Sequence, residues 1–399
     1  VESQPLGAVL REVIERLAPI DRTPCSAGER EAAEWLARRL RAVSGFEVEL
    51  EDEPSWGTFP PTSFALGSLG VLAAALSLRG RRRMGALLAA LSFAGIVDEA
   101  QNGPRILRRL IRRRRTTVNV VARAGAGEAT LVVIAHHDAP QTGVIFDQSL
   151  FKRIYELAPQ VIERGRTPPP QWWLGLAGPA GTVAAALTRR PAFARSALAL
   201  GALATALVGD VWRHETVPGA SDNLSGVAAL VGLAELFDER SVDGLRVLLV
   251  SCGAEETLQD GIRAFVARHR DELDPQTTCF VNIDTVGSQH LVMLEAEGPV
   301  WMESYSGPWL RDEAEAEAQE LGIELRRGYR ARASTDSIIP SRAGYPIVTL
   351  VSMSDWGPPA NYHLPSDIPE NVVYATVDDA TRLTFALGRR IAQTRAAPR

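Results

Sequence analysis

Apolar positions recur along most of the chain with the two periods of secondary structure, and in two places they run almost unbroken. Leu131 to Ala135 is an apolar, β-branched run that ends abruptly in His136, His137 and Asp138. A strand apolar on both faces belongs inside a parallel-type sheet, and its carboxyl end is where open α/β sheets hold ligands. Helical spacing covers Val1 to Leu17 and, through Ala33, Leu36 and Leu40, Glu29 to Val43. Asp21 to Gly28 is a turn-rich break, and Phe46 to Leu50 alternates as a strand. Farther on, the pattern predicts strands over Thr117–Ala122, Arg246–Ser251, Cys279–Ile283, Leu291–Glu295, Ile323–Arg327 and Ile347–Val351. Helices are predicted over Leu224–Phe237, Asp260–His269, Leu310–Leu321 and Val373–Thr394. That rhythm is an α/β one.

Two stretches interrupt it. Phe64 to Leu78 is almost wholly apolar, Arg79 to Arg83 is a basic turn, and Met84 to Val97 is apolar again. Trp172 to Leu187 is followed by a turn with Arg189, Arg190 and Arg195, then by Ser196 to Val208 running on to Trp212. Each reads as a hairpin of two hydrophobic helices. Small residues are frequent, and Trp172, Trp173 and Trp212 stand where an interfacial aromatic belt would, which fits a membrane bundle. Each apolar run is shorter than the about 20 residues a bilayer core needs, which fits a soluble helical subdomain or a dimer interface. After the first hairpin, Arg105 to Arg115 places Ile106, Leu107, Leu110 and Ile111 on one helical face. That is a basic amphipathic helix suited to anionic headgroups, or a solvated charged helix. The expected organisation is one domain from 1–60, 116–157 and 215–399, interrupted by the first hairpin and basic helix (61–115) and by the second hairpin (158–214).

With 399 residues the chain can bury a substantial core, and a net charge of −5 with 23% charged residues gives no footing for nucleic acid. Cys25, Cys252 and Cys279 are too few and scattered for a disulfide framework or a cysteine zinc site, and read as small buried hydrophobes. The first residues lack the basic-then-apolar pattern of a cleavable secretory signal, and no repeat of solenoid length is present. Arginines in the hairpin turns would put those turns in the cytoplasm, while Arg105 to Arg115 pulls the other way. Without a signal, the expectation is an integral membrane protein whose main domain faces the cytoplasm.

Acids and imidazoles then fall at strand ends and helix starts: His136, Asp222, Glu256, Asp284 and His363. Two divalent cations a few ångströms apart need a bridging carboxylate, further carboxylate and imidazole ligands, and room for water. In the adjacent pair Glu255-Glu256, one carboxylate can ligate metal while the other faces substrate as a general base. Asp367, four residues after His363, is a candidate partner for that ring. Asn223 and Ser225 suit the cap of the helix starting at Leu224. Arg332, near Ser334-Thr335-Asp336, is a candidate for holding an oxyanion or a substrate carboxylate, or is a surface arginine.

The stretches IAHHDAP, GASDNLSGVAALVGLAEL, CGAEET, VNIDTVGS, STDSIIPSRAGYPIVTL and YHLPSDIPENV together resemble the dinuclear zinc exopeptidase family that includes aminopeptidase Y and the glutamate carboxypeptidase II type. The resemblance covers most of residues 117–157 and 215–395 and, more weakly, the opening helices. It implies a mixed, mostly parallel central sheet with helices on both faces, here interrupted by the two inserted hairpins. It also implies two Zn2+ ions, with His136 and Asp284 on one, Glu256 and His363 on the other, and Asp222 between them. Glu255 would be the general base, and Asp138 would orient His136. His137 points away along the strand. The implied activity is hydrolysis of peptides by a two-metal activated water, as an aminopeptidase. The insertion between Asp138 and Asp222 is longer than the family's usual connection and remodels the entrance. Two rival readings are a one-zinc, glutaminyl cyclase-like enzyme and a membrane scaffold with an inert peptidase-like domain.

Overall fold

The computed structural model describes residues 5–396, so the first four residues of the helix expected over Val1–Leu17 lie outside the described residues. The chain opens with helices α1 (Leu6–Leu17) and α2 (Ala27–Arg41) and strand β1 (Glu47–Ser55). The first hairpin, α3 (Pro60–Leu78) and α4 (Arg82–Ala100), leads into a short α5 (Ile106–Ile111), then β2 (Arg115–Ala124) and β3 (Ala129–His136). Short helices α6 (Ser149–Leu157) and α7 (Pro159–Glu163) precede the second hairpin, α8 (Trp173–Thr188) and α9 (Pro191–Arg213). The α/β rhythm then resumes with α10 (Leu224–Glu239), β4 (Leu245–Cys252), α11 (Asp260–Arg268), β5 (Thr278–Ile283), β6 (His290–Glu297) and β7 (Glu303–Ser304). It closes with α12 (Pro308–Leu321), β8 (Arg326–Ala331), α13 (Ile338–Arg342), β9 (Ile347–Met353) and α14 (Tyr374–Ala396).

The strands form one mixed sheet in the order β1-β2-β4-β3-β5-β9-β6-β7, with β8 paired to β6. Its centre, β4-β3-β5-β9, is parallel throughout, and the antiparallel pairs lie toward the edges. On β3, Leu131, Val133 and Ala135 pack on one side against residues of α1, α10 and α14 such as Val13, Val227 and Leu383. Val132 and Ile134 pack on the other, against Phe265 of α11 and Ile338 of α13. Burying a Val, Leu or Ile is worth roughly 1.5–3 kcal/mol, so a strand apolar on both faces gains only between two helical layers. Helix α10 is buried around almost its whole circumference from Leu224 to Ala234, as its unbroken apolar sequence requires.

The predicted strand at Ile323–Arg327 begins later. Ile323 and Leu325 pack against the core after the left-handed cap Gly322, and pairing with β6 starts at Arg326. Of the basic amphipathic helix expected over Arg105–Arg115, only Ile106–Ile111 is helical; Ile106, Leu110 and Ile111 are exposed together, while Arg105 and Arg108 are buried. Arg105 pairs with Asp260 and Arg108 with Glu99, so these cations satisfy buried carboxylates. Removing one partner of such a pair costs about 3–5 kcal/mol.

The hairpins associate as a four-helix bundle in which α3 and α8 each lie between α4 and α9. Helices α3, α4 and α9 are longer than the apolar runs suggested, α4 because it continues through Asp98 and Glu99 at the base of the bundle, while α8 has the expected length. Two of them, Pro60–Leu78 and Pro191–Arg213, are long and apolar enough to cross a membrane. Close backbone approach holds the bundle together. A Cβ on Gly178 of α8 would lie 2.9 Å from the Cα of Gly201 on α9. Gly178→Leu is therefore expected to force these helices apart and to lower stability by about 1–3 kcal/mol. Gly175→Ala, whose nearest neighbour would be 4.0 Å away, should not. Thermal unfolding of both variants checks this.

Candidate metal centre

Because β4, β3, β5 and β9 are parallel, their carboxyl ends share one edge. His136 is the last residue of β3, Glu255 and Glu256 follow β4 by a tight turn, and Asp284 directly follows β5. His363 lies in the loop after β9, and Asp222 precedes Asn223, the N-cap of α10. These side chains, scattered in sequence, meet. Asp222 lies between the two imidazoles: Oδ1 is 3.4 Å from His136 Nε2, and Oδ2 is 3.1 Å from His363 Nε2. Asp284 Oδ1 lies 4.0 Å from His136 Nε2, and Glu256 Oε1 lies 3.5 Å from His363 Nε2. His136–Asp222–Asp284 and Asp222–Glu256–His363 each bring their donor atoms within 4.8 Å of one another.

The donor set suits divalent metal. Asp222 Oδ2 and both His363 nitrogens are buried without a hydrogen bond among the described residues, despite their proximity. Buried oxygens and nitrogens left unpaired beside one another are a donor set that suits a cation. Burial, reinforced by Asp222 and Glu255, pushes the Glu256 carboxyl well above the ordinary carboxylate range. Burial and the neighbouring Asp336 and Asp284 do the same to Glu255. Burial acts against charge on Asp222 too, but the two imidazoles outweigh it and hold that carboxyl low. Positive charge at the centre would relieve the repulsion that raises the others.

Buried groups outside the cluster fix the turns that carry it. Asp138 was expected to orient His136, and its Oδ1 does lie 3.5 Å from His136 Nδ1. Its two oxygens, however, accept the main-chain N–H groups of Glu255 and Glu256, each at 3.0 Å. Asp367 is not a partner of His363. It accepts the N–H groups of Ser221 (2.7 Å) and Asp222 (3.0 Å). Asn223 caps α10 as expected and also ties Ile283 and Thr285 to it. Ser225 does not cap. Its hydroxyl donates to the Ser221 carbonyl and accepts from Val286 N–H. His137 lies apart, its Nδ1 2.9 Å from Ser251 Oγ, and burial lowers its pKa to about 4.

Other supports carry no motif. Glu29 accepts from Ala254 and Cys25 N–H and from the Thr117 hydroxyl. Gln259 donates to Glu255 Oε1 and to the Ser334 carbonyl, and receives a hydrogen bond from Asn102 at the base of the first hairpin. Their pairing is long-range, so only a Glu in the first turn of α2 and a Gln one turn after Glu255 could have hinted at it. Ala254, Thr285 and His363 all have left-handed backbones, at φ 52, 54 and 56. For residues with a Cβ this costs about 1–2 kcal/mol each, and it clusters at this edge.

A cavity of about 360 Å³ opens above the cluster, floored by its side chains and roofed by the helical bundle. Arg332 lies on its wall, 5.9 Å from the Trp173 ring, with Nε buried and unpaired among the described residues. Asp367→Ala would orphan two buried N–H donors. It is expected to cost about 1–3 kcal/mol for each, with Asp367→Asn costing less because one acceptor remains. Denaturant unfolding measures the difference.

Residues 207–388 match the family model for peptidase family M28. Among solved structures, a leucine aminopeptidase precursor from Bacteroides thetaiotaomicron aligns with TM-score 0.55 and 12% identity, over 96% of this chain and 96% of its own. A glutaminyl cyclase of the same organism, bound to N-acetylhistamine, aligns with TM-score 0.55 and 12% identity, over 96% and 97%. A Zn-dependent exopeptidase from Parabacteroides distasonis aligns with TM-score 0.53 and 13% identity, over 96% and 97%. At these identities the structures establish a shared fold. Curated protein sequences give no match. Residues 207–388, just under half of the chain, are thus similar to peptidase family M28, in keeping with the resemblance its motifs carry.

Proposed function

We propose that the protein is a zinc-dependent exopeptidase, acting as an aminopeptidase, with His136 and Asp284 holding one Zn2+, Glu256 and His363 the other, and Asp222 shared between them. The observation that carries this reading is the placement of Asp222, with one carboxylate oxygen toward each histidine and an acid beyond each. Bound there, zinc would supply Lewis-acid polarisation of the scissile carbonyl and acidify a water. Glu255 borders the cavity with Gln259 holding Oε1, which leaves Oε2, 4.0 Å from His136 Nε2, to accept a proton and pass it to the leaving amine. Asp138 fixes the turn presenting Glu255, and Asp367 fixes the turn presenting Asp222.

Glu255→Gln is expected to lower turnover by about 10²–10⁴-fold while leaving metal content at two per chain. Retained turnover would remove Glu255 as the base. A screen of N-terminally free and blocked peptides, with and without chelator, tests the aminopeptidase reading. One zinc per chain, with cyclisation of N-terminal glutamine, would favour the glutaminyl cyclase alternative instead.

The reading includes a membrane anchor. The 19 residues of α3 span about 28 Å at 1.5 Å per residue, close to the roughly 30 Å of a hydrocarbon core. Leu72, Leu87, Leu91 and Leu203 on the bundle are exposed, a face suited to lipid. Arg79, Arg81, Arg82, Arg83, Arg189 and Arg190 lie in or beside the hairpin turns, away from the catalytic domain. Arg105 and Arg108 are held in buried ion pairs, but Arg109, Arg113, Arg114 and Arg115 beside the bundle's base stay exposed, so basic residues flank both of its ends. The catalytic domain is read as facing the cytoplasm, the side expected from sequence. Protease added to intact spheroplasts should leave that domain uncut; its cleavage would place it on the opposite side.

A further inference from the structure

The cavity above the cluster does not end at the catalytic domain. It continues between α3, α8 and α9, where its walls are Gly67, Pro179, Gly201, Ala204 and Val208, among others. Small residues leave the space: a Cβ on Gly175 would have only Ile96, at 4.0 Å, nearby. The proposed mechanism uses none of this upper part.

The chemistry of its walls selects an occupant. Backbone groups of helices are spent on their own ladders, so helical walls offer few donors or acceptors. Thr205 donates its hydroxyl to the Gly201 carbonyl, leaving the Ser63 hydroxyl as an unpaired side-chain polar group in this region. A peptide entering here would bring one N–H and one C=O per residue with almost nothing to meet them, at a cost for each buried group left unpaired. A hydrocarbon chain brings none. The space also lies within a bundle whose outer face is apolar, where long-chain molecules partition.

We propose that the upper cavity is a subsite for a hydrocarbon chain, and that the substrate is an amide or peptide carrying a long alkyl group, with its scissile bond at the cluster below. The substrate assignment rests on the peptidase reading of that cluster. The subsite itself does not.

Two measurements on the full-length protein test it. The first is photocrosslinking with dodecylamine bearing a diazirine at its far end, mapped by mass spectrometry. Adducts are expected on the lining residues Gly201, Ala204, Thr205, Val208 and Val211 of α9 and Ser63 and Gly67 of α3, and Ala204→Phe or the milder Ala204→Leu should reduce them in proportion to added bulk. Adducts confined to the outward Leu87 and Leu203 would mean surface lipid only and overturn the subsite. The second is kcat/KM for two series of rising chain length, 2-aminoalkanoyl nitroanilides and N-acyl leucines. In one series kcat/KM should climb about fourfold per fully buried methylene until the cavity is filled, with a shallower slope in Ala204→Phe. Flat profiles in both series, beside zinc-dependent hydrolysis of leucine nitroanilide, would overturn the long-chain substrate and leave the peptidase reading standing. Inward adducts without any hydrolysis would keep the subsite and remove the peptidase reading.

Discussion

Repulsion among buried carboxylates crowded at one edge of the sheet sets the terms for the rest of the molecule. Asp222, Glu255, Glu256 and Asp284 face one another at the edge of the sheet, and left to themselves they would separate or take up protons. They stay because the turns bearing them are pinned from behind. A buried main-chain N–H must find an acceptor, and Asp138 and Asp367 each take two in succession, from Glu255-Glu256 and from Ser221-Asp222. These clamps add negative charge of their own. Arg22 is fully buried nearby and donates to the carbonyls of His137, Leu17 and Pro218, tying both turns to the end of α1. Burial lowers its pKa to about 10, so it stays charged at neutral pH and offsets part of that excess.

The same logic explains how the inserted bundle is joined to the domain below. Its base meets the sheet and its helices through buried charge. Arg108 links Glu99 of α4 to the Thr257 carbonyl, one residue beyond Glu256, and Arg105 reaches Asp260 at the start of α11. Asn102 then holds Gln259, which holds Glu255. The first hairpin is thus part of the support for the turn that carries Glu255.

Legibility in the sequence followed the range of the interactions. The strand ending at His136 and the helix from Leu224 were readable because burial on both faces leaves unbroken apolar runs. His136, Glu256 and Asp284 were readable because they follow such runs at strand ends, and Asp222 because it stands at the start of the helix from Leu224. Resemblance, not periodicity, distributed them between two ions. What escaped was long-range pairing. Periodicity groups Ile106, Leu107, Leu110 and Ile111 on one face, yet cannot show that Glu99 and Asp260 will bury the arginines between them. Asp367 sits four residues from His363 in sequence and serves Asp222 instead. Helix length was underestimated where polar residues at the bundle base are buried by ion pairs.

The chain passes between sheet and bundle at Ser55–Pro60, Ala100–Ile106, Glu163–Trp173 and Arg213–Leu224. A module on a single tether can swing; one stitched at four points, with buried ion pairs between the stitches, has no free axis of rotation. The mouth between sheet and bundle is thus framed on every side by crossings of the same chain, and its outline is set by the fold.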